Sequence, residues 1–395
     1  MTDVMAAIEE RAERIASHAE ENEALGRLHD DSAAALRETG VMRMLAPKAF
    51  GGDEAHPRDF AEAVMKIASI DGSTGWVAGI VGVHPWELAM ASPKVQEEVW
   101  GEGGSTPDVW VASPYAPMGI LRPVDGGYIF NGRWQFSSGT DHCDWIFLGA
   151  LMGDDEGKMA LPPSVKHVVL PRSDYEIVED SWDVIGLKGT GSKDIIVKDA
   201  FIPDYRVVDN NEVMHGKAAV AAGLESPTYH VPFTTVFPLG ITSAVIGICE
   251  GALAQHVAYQ KSRVQITGAK LKDDPVSLYA ISDAAAEIHA SRVVLLDNVT
   301  QMYDRVVRGE EITYQQRAQS RRAQVSSCWR AVRAMDEIVA RSGGNALRSG
   351  NPIQRFWRDG HMGLVHAVHV PNNVYQANAL LDVDIDPTGP LRQMI

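Results

Sequence analysis

Cysteine is scarce in this chain. Among 395 residues there are three, Cys143, Cys249 and Cys328, widely separated and odd in number. They offer neither a disulfide frame nor a thiolate metal site, and they fit packed, reduced thiols of a cytoplasmic protein. Positive charge is also short: 36 Lys and Arg stand against 52 Asp and Glu, a formal net charge of −16. A nucleic-acid partner needs a basic face to meet its phosphates, so that class is excluded. No apolar run of membrane-spanning length is expected, and the acidic, helically patterned N-terminus has no basic-then-apolar signal segment. Internal repeats and low-complexity tracts are missing. So is the Gly-x-Gly-x-x-Gly turn of dinucleotide-binding sheets. The glycine-rich stretch Gly186-Leu-Lys-Gly-Thr-Gly-Ser192 lacks the Lys-Ser/Thr ending of a phosphate loop and leads into a strand. It reads as a loop of a β-region, either a plain turn or one that touches a cofactor. Finally, no Asp or Glu occurs from Ser226 through Cys249, or between Gly360 and Pro371.

What is present divides into three regions, long enough together for two or three domains. Residues 1–108 are patterned as helices. Ile8, Ala12 and Ile15 recur at helical spacing, Asp30, Asp31 and Ser32 offer N-cap groups, and Gly40 offers a left-handed stop. His56-Pro57 opens another helix, and the stretch from Gly75 to Met90 is apolar nearly all round, as in a helix buried by its neighbours. Residues 109–212 alternate short Val, Ile, Phe and Tyr runs with Gly, Pro and Asp, which predicts an antiparallel, barrel-like β-domain. Asp125-Gly126-Gly127 marks a tight hairpin in it. Residues 213–395 begin with an aperiodic segment of lid type. Long helices are expected near 239–266, 274–308 and 313–342, then a fourth from about Pro352 that carries Arg355, Arg358, Asp359 and His366. Together they make an antiparallel four-helix bundle, and the fold class is α+β.

Two segments are the most specific. One is Phe130-Asn-Gly-Arg-Trp-Gln-Phe-Ser137-Ser138-Gly139 through Asp144-Trp145; the other runs from Ser342-Gly-Gly-Asn through Arg358-Asp359 to His366-Ala-Val-His369. Together they resemble the acyl-CoA dehydrogenase fold in its monooxygenase branch. These are the oxygenase components of two-component aromatic hydroxylases, in particular those acting on 4-hydroxyphenylacetate and on steroid-derived phenols. The resemblance covers nearly the whole chain. It implies reduced FMN or FAD and O2 as cofactors, ortho-hydroxylation of a phenol through a flavin C4a-hydroperoxide, a separate NAD(P)H:flavin reductase, a homotetramer, and no metal.

It also implies a site. Ser138 falls in the slot beside flavin N5, whose hydrogen a serine oxygen can accept. Phe136 takes the ring-stacking slot next to Ser137, and Ser113, Tyr115, Ala116 and Pro117 form the strand end along the ring. Arg263 matches the arginine that reaches a flavin phosphate, often on the neighbouring subunit, where a guanidinium suits phosphate oxygens. Gly343 and Gly344 match a glycine pair that a flavin approaches closely. His366 matches the active-site histidine. An unperturbed phenol has a pKa of about 10, and a neutral imidazole in reach can take or share its proton. His84 and Trp86 are expected at the pocket wall, with plain core packing the simpler role for Trp86. His369 is expected on the same helix face as His366. The steroid-phenol branch has an aspartate four residues after the histidine; Val370 stands there, with His369 as its substitute. The glutamate base of an acyl-CoA dehydrogenase is missing from both of its slots, Ala367 and the vicinity of Phe237. Oxygenation of a sulfur or nitrogen centre on the same fold, and a non-enzymatic bundle, remain open alternatives.

Overall fold

The computed structural model describes residues 3–264, 268, 270–392 and 395. Helices α1 (Val4–Ser17), α2 (Ala19–Leu25) and α3 (Asp30–Thr39) open the chain. α1 buries Val4, Ile8 and Ile15 on one stripe. The cap of α3 is His29, whose Nδ1 accepts the Asp31 N–H at 3.2 Å, so the expected cap residues lie inside the first turn. There their carboxylates suit the positive end of the helix dipole. Gly40 ends α3 at φ +80°, as expected. α4 (Pro57–Ile70) follows His56. The apolar stretch folds as two fully buried helices, α5 (Gly72–Val81) and α6 (His84–Leu88), and α7 (Pro93–Trp100) starts at the Ser92 cap.

The central strands are β1 (Val111–Ala112), β2 (Gly119–Val124), β3 (Gly127–Ser137), β4 (Trp145–Met152), β5 (Val165–Pro171), β6 (Glu176–Val178), β7 (Lys193–Pro203) and β8 (Val207–Asp209). They form one sheet in the order β6-β7-β3-β2-β4-β5-β8, with β1 beside β4. The expectation of a wholly antiparallel sheet is corrected: β4 pairs with β1 and β2 in parallel. The reason is topological. β4 returns against the direction of β3, but it seats itself on the far side of β2 and so runs the same way as β2. The Asp125-Gly126 hairpin joins β2 to β3 as expected.

After α8 (Asn210–Met214) and α9 (Lys217–Ala221) come α10 (Phe233–Ser262), α11 (Pro275–Val307), α12 (Tyr314–Val339), α13 (Pro352–Leu364) and α14 (Pro371–Asp382). α10 starts before the expected position because Pro238 sits inside it, near its start. A proline there removes a single backbone bond and does not stop the helix. The expected end of this helix at 266 lies outside the described residues. α10 also corrects the membrane expectation. Among the described residues it is the one helix long and apolar enough to cross a membrane, with mean hydropathy 1.7, yet 83% of that window is buried inside the fold. It is the core helix. α5 crosses it backbone to backbone at Gly79 and Gly240, where a Cβ on Gly79 would stand 2.5 Å from the Gly240 carbonyl oxygen. One continuous apolar core joins the first helices, the sheet and the bundle.

Candidate active site

β3 ends in a register shift between Trp134 and Ser137. Phe136 stands in that irregularity at φ +66°, and its side chain is 65% exposed. A left-handed backbone on a bulky residue is strained, and such bulges re-aim side chains beside functional sites. Ser137 points the other way: it is fully buried, and its hydroxyl has no hydrogen-bond partner among the described residues. Ser138 is buried and accepts the indole N–H of Trp76, from α5, at 3.2 Å. Its hydroxyl also pairs with Ser192 at 2.8 Å, and Ser192 with Thr190 at 2.7 Å, both in the glycine-rich loop. The Gly139 N–H reaches the Thr190 carbonyl at 2.8 Å. This loop is held from α13. Asp359 accepts the Leu187 N–H at 2.5 Å, while Arg358 bonds the Ile185 carbonyl and pairs with Glu23 at 2.5 Å.

Asp359 is buried, and burial, reinforced by nearby Asp71, pushes its carboxyl up to about 7. A raised carboxyl favours the folded state while protonated, so its contribution is complete below the unfolded value and is lost as pH rises to the folded one. Asp359→Asn keeps an oxygen for Leu187 and removes the titration. Its stability relative to wild type is expected to grow between pH 5 and pH 7 by about 1.4 kcal/mol per pH unit, then level off. Urea unfolding midpoints across pH check this; a constant difference between the two proteins would contradict it.

His366 does not lie on α13, which ends at Leu364; it caps the short turn Ala367–His369. Gly360 and Gly363 weaken the last turns of the helix. The half-buried ring of His366 sits edge-on to Trp76 at 5.8 Å, so it belongs to the Ser138 cluster. Burial, then Arg321, pushes it down to about 4, and it is neutral at pH 7. Its Nδ1 accepts the Val368 N–H at 3.3 Å. The neutral ring therefore carries its hydrogen on Nε2, which has no partner among the described residues. His369 is 0% exposed, and both its nitrogens serve the fold. Nδ1 donates to the Gly363 carbonyl at 3.0 Å, and Nε2 meets Thr242 and Cys328, each at 3.2 Å. That corrects its expected place in the pocket and leaves it no atom to replace the missing aspartate at Val370 or to share a metal with His366.

A second cluster was only partly visible in the sequence. Nε2 of His84 is 2.5 Å from the Ser113 hydroxyl, and its Nδ1 is 3.2 Å from the Tyr115 hydroxyl. Tyr115 donates to Glu87 at 2.5 Å, and Glu87 also takes Nδ1–H of His167 at 2.6 Å. Tyr115 stacks on His167 at 4.2 Å. Because the Tyr115 hydrogen goes to Glu87, His84 must donate Nδ1–H to Tyr115. Its Nε2 is then a bare acceptor for Ser113. Burial, then His167, pushes His84 down to about 3. Sequence reading missed Glu87 and His167. The signal was there for Glu87, the lone charge in the apolar stretch from Gly75 to Met90. Trp86 is a core residue that anchors the 227–230 turn, donating to the Thr228 carbonyl at 2.7 Å. Tyr115 and the exposed Pro117, next to the exposed Ala116, line a cavity of about 960 Å³ together with Phe237 and Val368. The second cluster borders this space through Tyr115 and His167, and Val368, two residues beyond His366, lines it as well; its size takes a cofactor or small ligand.

A family model described as "Acyl-CoA dehydrogenase, C-terminal domain" matches residues 239–371. A pigment production hydroxylase of Rhodococcus erythropolis is 55% identical over 393 residues, covering 100% of this chain and 99% of that protein. The flavin-dependent monooxygenase oxygenase subunit HsaA of Rhodococcus jostii is 43% identical, covering 90% of this chain and 92% of that protein. This chain belongs to the flavin-dependent monooxygenases of acyl-CoA dehydrogenase fold. The crystal structure of a Rhodococcus 3-HSA hydroxylase superposes with a TM-score of 0.92 at 39% identity, over 98% of both chains.

The chain is the oxygenase component of a two-component flavin-dependent monooxygenase, a role that implies a flavin and a separate reductase. Its residues fit the ring of that flavin: Ser138 has an oxygen lone pair beyond the one Trp76 uses, and Phe136 offers an exposed face. The phosphate end is different. Arg263 donates to the carbonyls of Arg341 and Ser342 at 3.0 and 3.2 Å, and a Cβ on Gly343 (φ +76°) would stand 2.7 Å from its guanidinium. Gly344 beside it faces open space. The oxygenase therefore brings Arg263, Gly343 and Gly344 together, but not to the ring cluster. α10 touches His369 at Thr242 and ends at Arg263, roughly 30 Å further along at the usual helical rise.

Proposed function

We propose that this oxygenase hydroxylates a phenol at the carbon ortho to its hydroxyl, using reduced FMN or FAD and O2. Bound reduced flavin supplies the activated oxygen atom; the chain supplies position and a place for the phenol proton. The observation that carries the reading is the 2.5 Å contact between Ser113 and Nε2 of His84. A phenol that donates to the Ser113 oxygen passes its proton along to His84. The charge that forms there faces Tyr115 and, behind it, the carboxylate of Glu87. A proton leaving the phenol makes the ortho carbon electron-rich. Ser138 receives the hydrogen of reduced N5, and His366 presents Nε2–H to an oxygen at the same ring.

A second reading keeps His366 as the base. Its Nε2 is the imidazole nitrogen of the cluster that the fold does not engage, and it becomes an acceptor if the 3.3 Å bond to Val368 is given up. On either reading the flavin phosphate meets Arg263 and Gly343 of a neighbouring copy, because one protomer holds these too far from its own ring cluster. A homotetramer provides that arrangement.

The test is a panel of phenols with chemically reduced FMN or FAD under air, scoring hydroxylated product against hydrogen peroxide. The chain alone is expected to oxidise no NADH, and any flavin reductase should restore turnover. NADH oxidation by the purified chain would sink the two-component reading; product from sulfides or amines but from no phenol would move the substrate class.

A further inference from the structure

Ser138, Ser192, Thr190 and the Leu187 carbonyl form a line of oxygens with contacts of 2.8, 2.7 and 2.7 Å. Oxygens that close each need a hydrogen between them. Three hydroxyls own one hydrogen apiece, and the carbonyl owns none. Every hydrogen is therefore committed, and all point one way: Thr190 donates to Leu187, Ser192 to Thr190, and Ser138 to Ser192. Ser138 keeps no hydrogen for the pocket. One of its lone pairs takes the Trp76 N–H, and the other is left for a donor. Water does not break the line, because Ser138, Ser192 and Thr190 are 5%, 3% and 1% exposed. Its carbonyl end is fixed too. Leu187 is held at φ +54°, and its N–H is bound by Asp359.

We propose that Thr190 and Ser192 are positioning residues that hold Ser138 as a pure acceptor and so select reduced over oxidised flavin. This rests on the reading that Ser138 meets flavin N5. Reduced N5 carries a hydrogen, which the free lone pair of Ser138 accepts. Oxidised N5 carries a lone pair of its own, which finds no donor and is repelled. For an oxygenase that borrows its flavin from another protein, this polarity retains the reduced form and lets the oxidised one go.

Anaerobic and aerobic titrations with FMN test the line. Ser192→Ala frees the Ser138 hydrogen directly. Thr190→Val, nearly isosteric, lets Ser192 turn towards Ser138 and frees it indirectly. Both are expected to bind oxidised FMN about fivefold more tightly relative to reduced FMN, the worth of one hydrogen bond. The midpoint potential of the bound flavin should fall by about 20 mV accordingly. Thr190→Ser keeps the line and should match wild type. If both disrupting variants keep the wild-type ratio while Ser138→Ala weakens reduced FMN, the relay is overturned and Ser138 stays at N5. If Ser138→Ala changes neither affinity, Ser138 is not at N5 and the proposal falls with that reading.

Discussion

His84→Ala is expected to separate oxygen consumption from hydroxylation. Reduced flavin should still bind and still react with O2, since Ser138, Phe136 and the Arg263 cradle are untouched. The phenol, however, would meet a Ser113 hydroxyl with nowhere to send its proton. Removing a positioned general base typically lowers the rate about 10²–10⁴-fold. Turnover should therefore yield mainly hydrogen peroxide, with little hydroxylated product. Raising the pH towards the phenol's own pKa of about 10 should recover part of the hydroxylation, because the substrate then arrives without its proton. Product against peroxide across pH, in one assay, reads both effects.

The same assay on His366→Ala decides between the two imidazoles. If its Nε2 carries a hydrogen, as the bond from Val368 requires, the variant loses one donor at the ring. That costs about 1 kcal/mol, roughly fivefold in coupling, with no rescue at high pH. If instead His366→Ala shows the large loss and the alkaline recovery, while His84→Ala stays coupled, the proton goes to His366 and the Ser113–His84 pair is structural. The depressed values of both rings give no preference, since both are neutral at pH 7. The difference between them is where each ring keeps its hydrogen.

That distinction could not be read from the sequence. A tautomer depends on partners such as Tyr115 and Val368, and a spacing says nothing about which nitrogen they engage. The three-residue interval from His366 to His369 suggested one helix face, but the helix ends two residues too early for periodicity to apply. By contrast, much of the local structure was legible: the Gly40 stop, the His56-Pro57 start, the Asp125-Gly126 hairpin and the buried character of α5. Strand direction was not, because the pairing of β2 with β4 is set by where the chain returns and not by what either strand contains. Arg358 and Asp359 stood out in the sequence without a visible task. Their partners, Ile185 and Leu187, lie far away along the chain, and only the fold joins them. Ser138 was singled out by resemblance alone, while the direction of its hydroxyl needed the whole line back to Leu187.

The largest structural consequence concerns two chains at once. His84 stands behind Tyr115, which lines the cavity of one protomer, while Arg263 sits against Gly343 at the far end of α10, roughly 30 Å beyond Thr242. One flavin cannot use both from the same chain if both act on it. Arg263→Met should weaken reduced-flavin binding about 10- to 100-fold, the loss expected for charge-assisted bonds to phosphate. His84→Ala should bind flavin but not hydroxylate. Each variant alone is then nearly inactive at limiting flavin. Co-expressed and purified through two different tags, they should complement. In a symmetric pair, one site collects both defects and the other collects the intact His84 of one chain and the intact Arg263 of its neighbour. Purification through both tags keeps only the mixed pairs, each with one intact site of two, so activity should return to about half of wild type, with the mixed species carrying half-site occupancy by flavin. Mixed assemblies that stay as inactive as either parent would mean that Arg263 and His84 serve a flavin within one chain, or that Arg263 serves none.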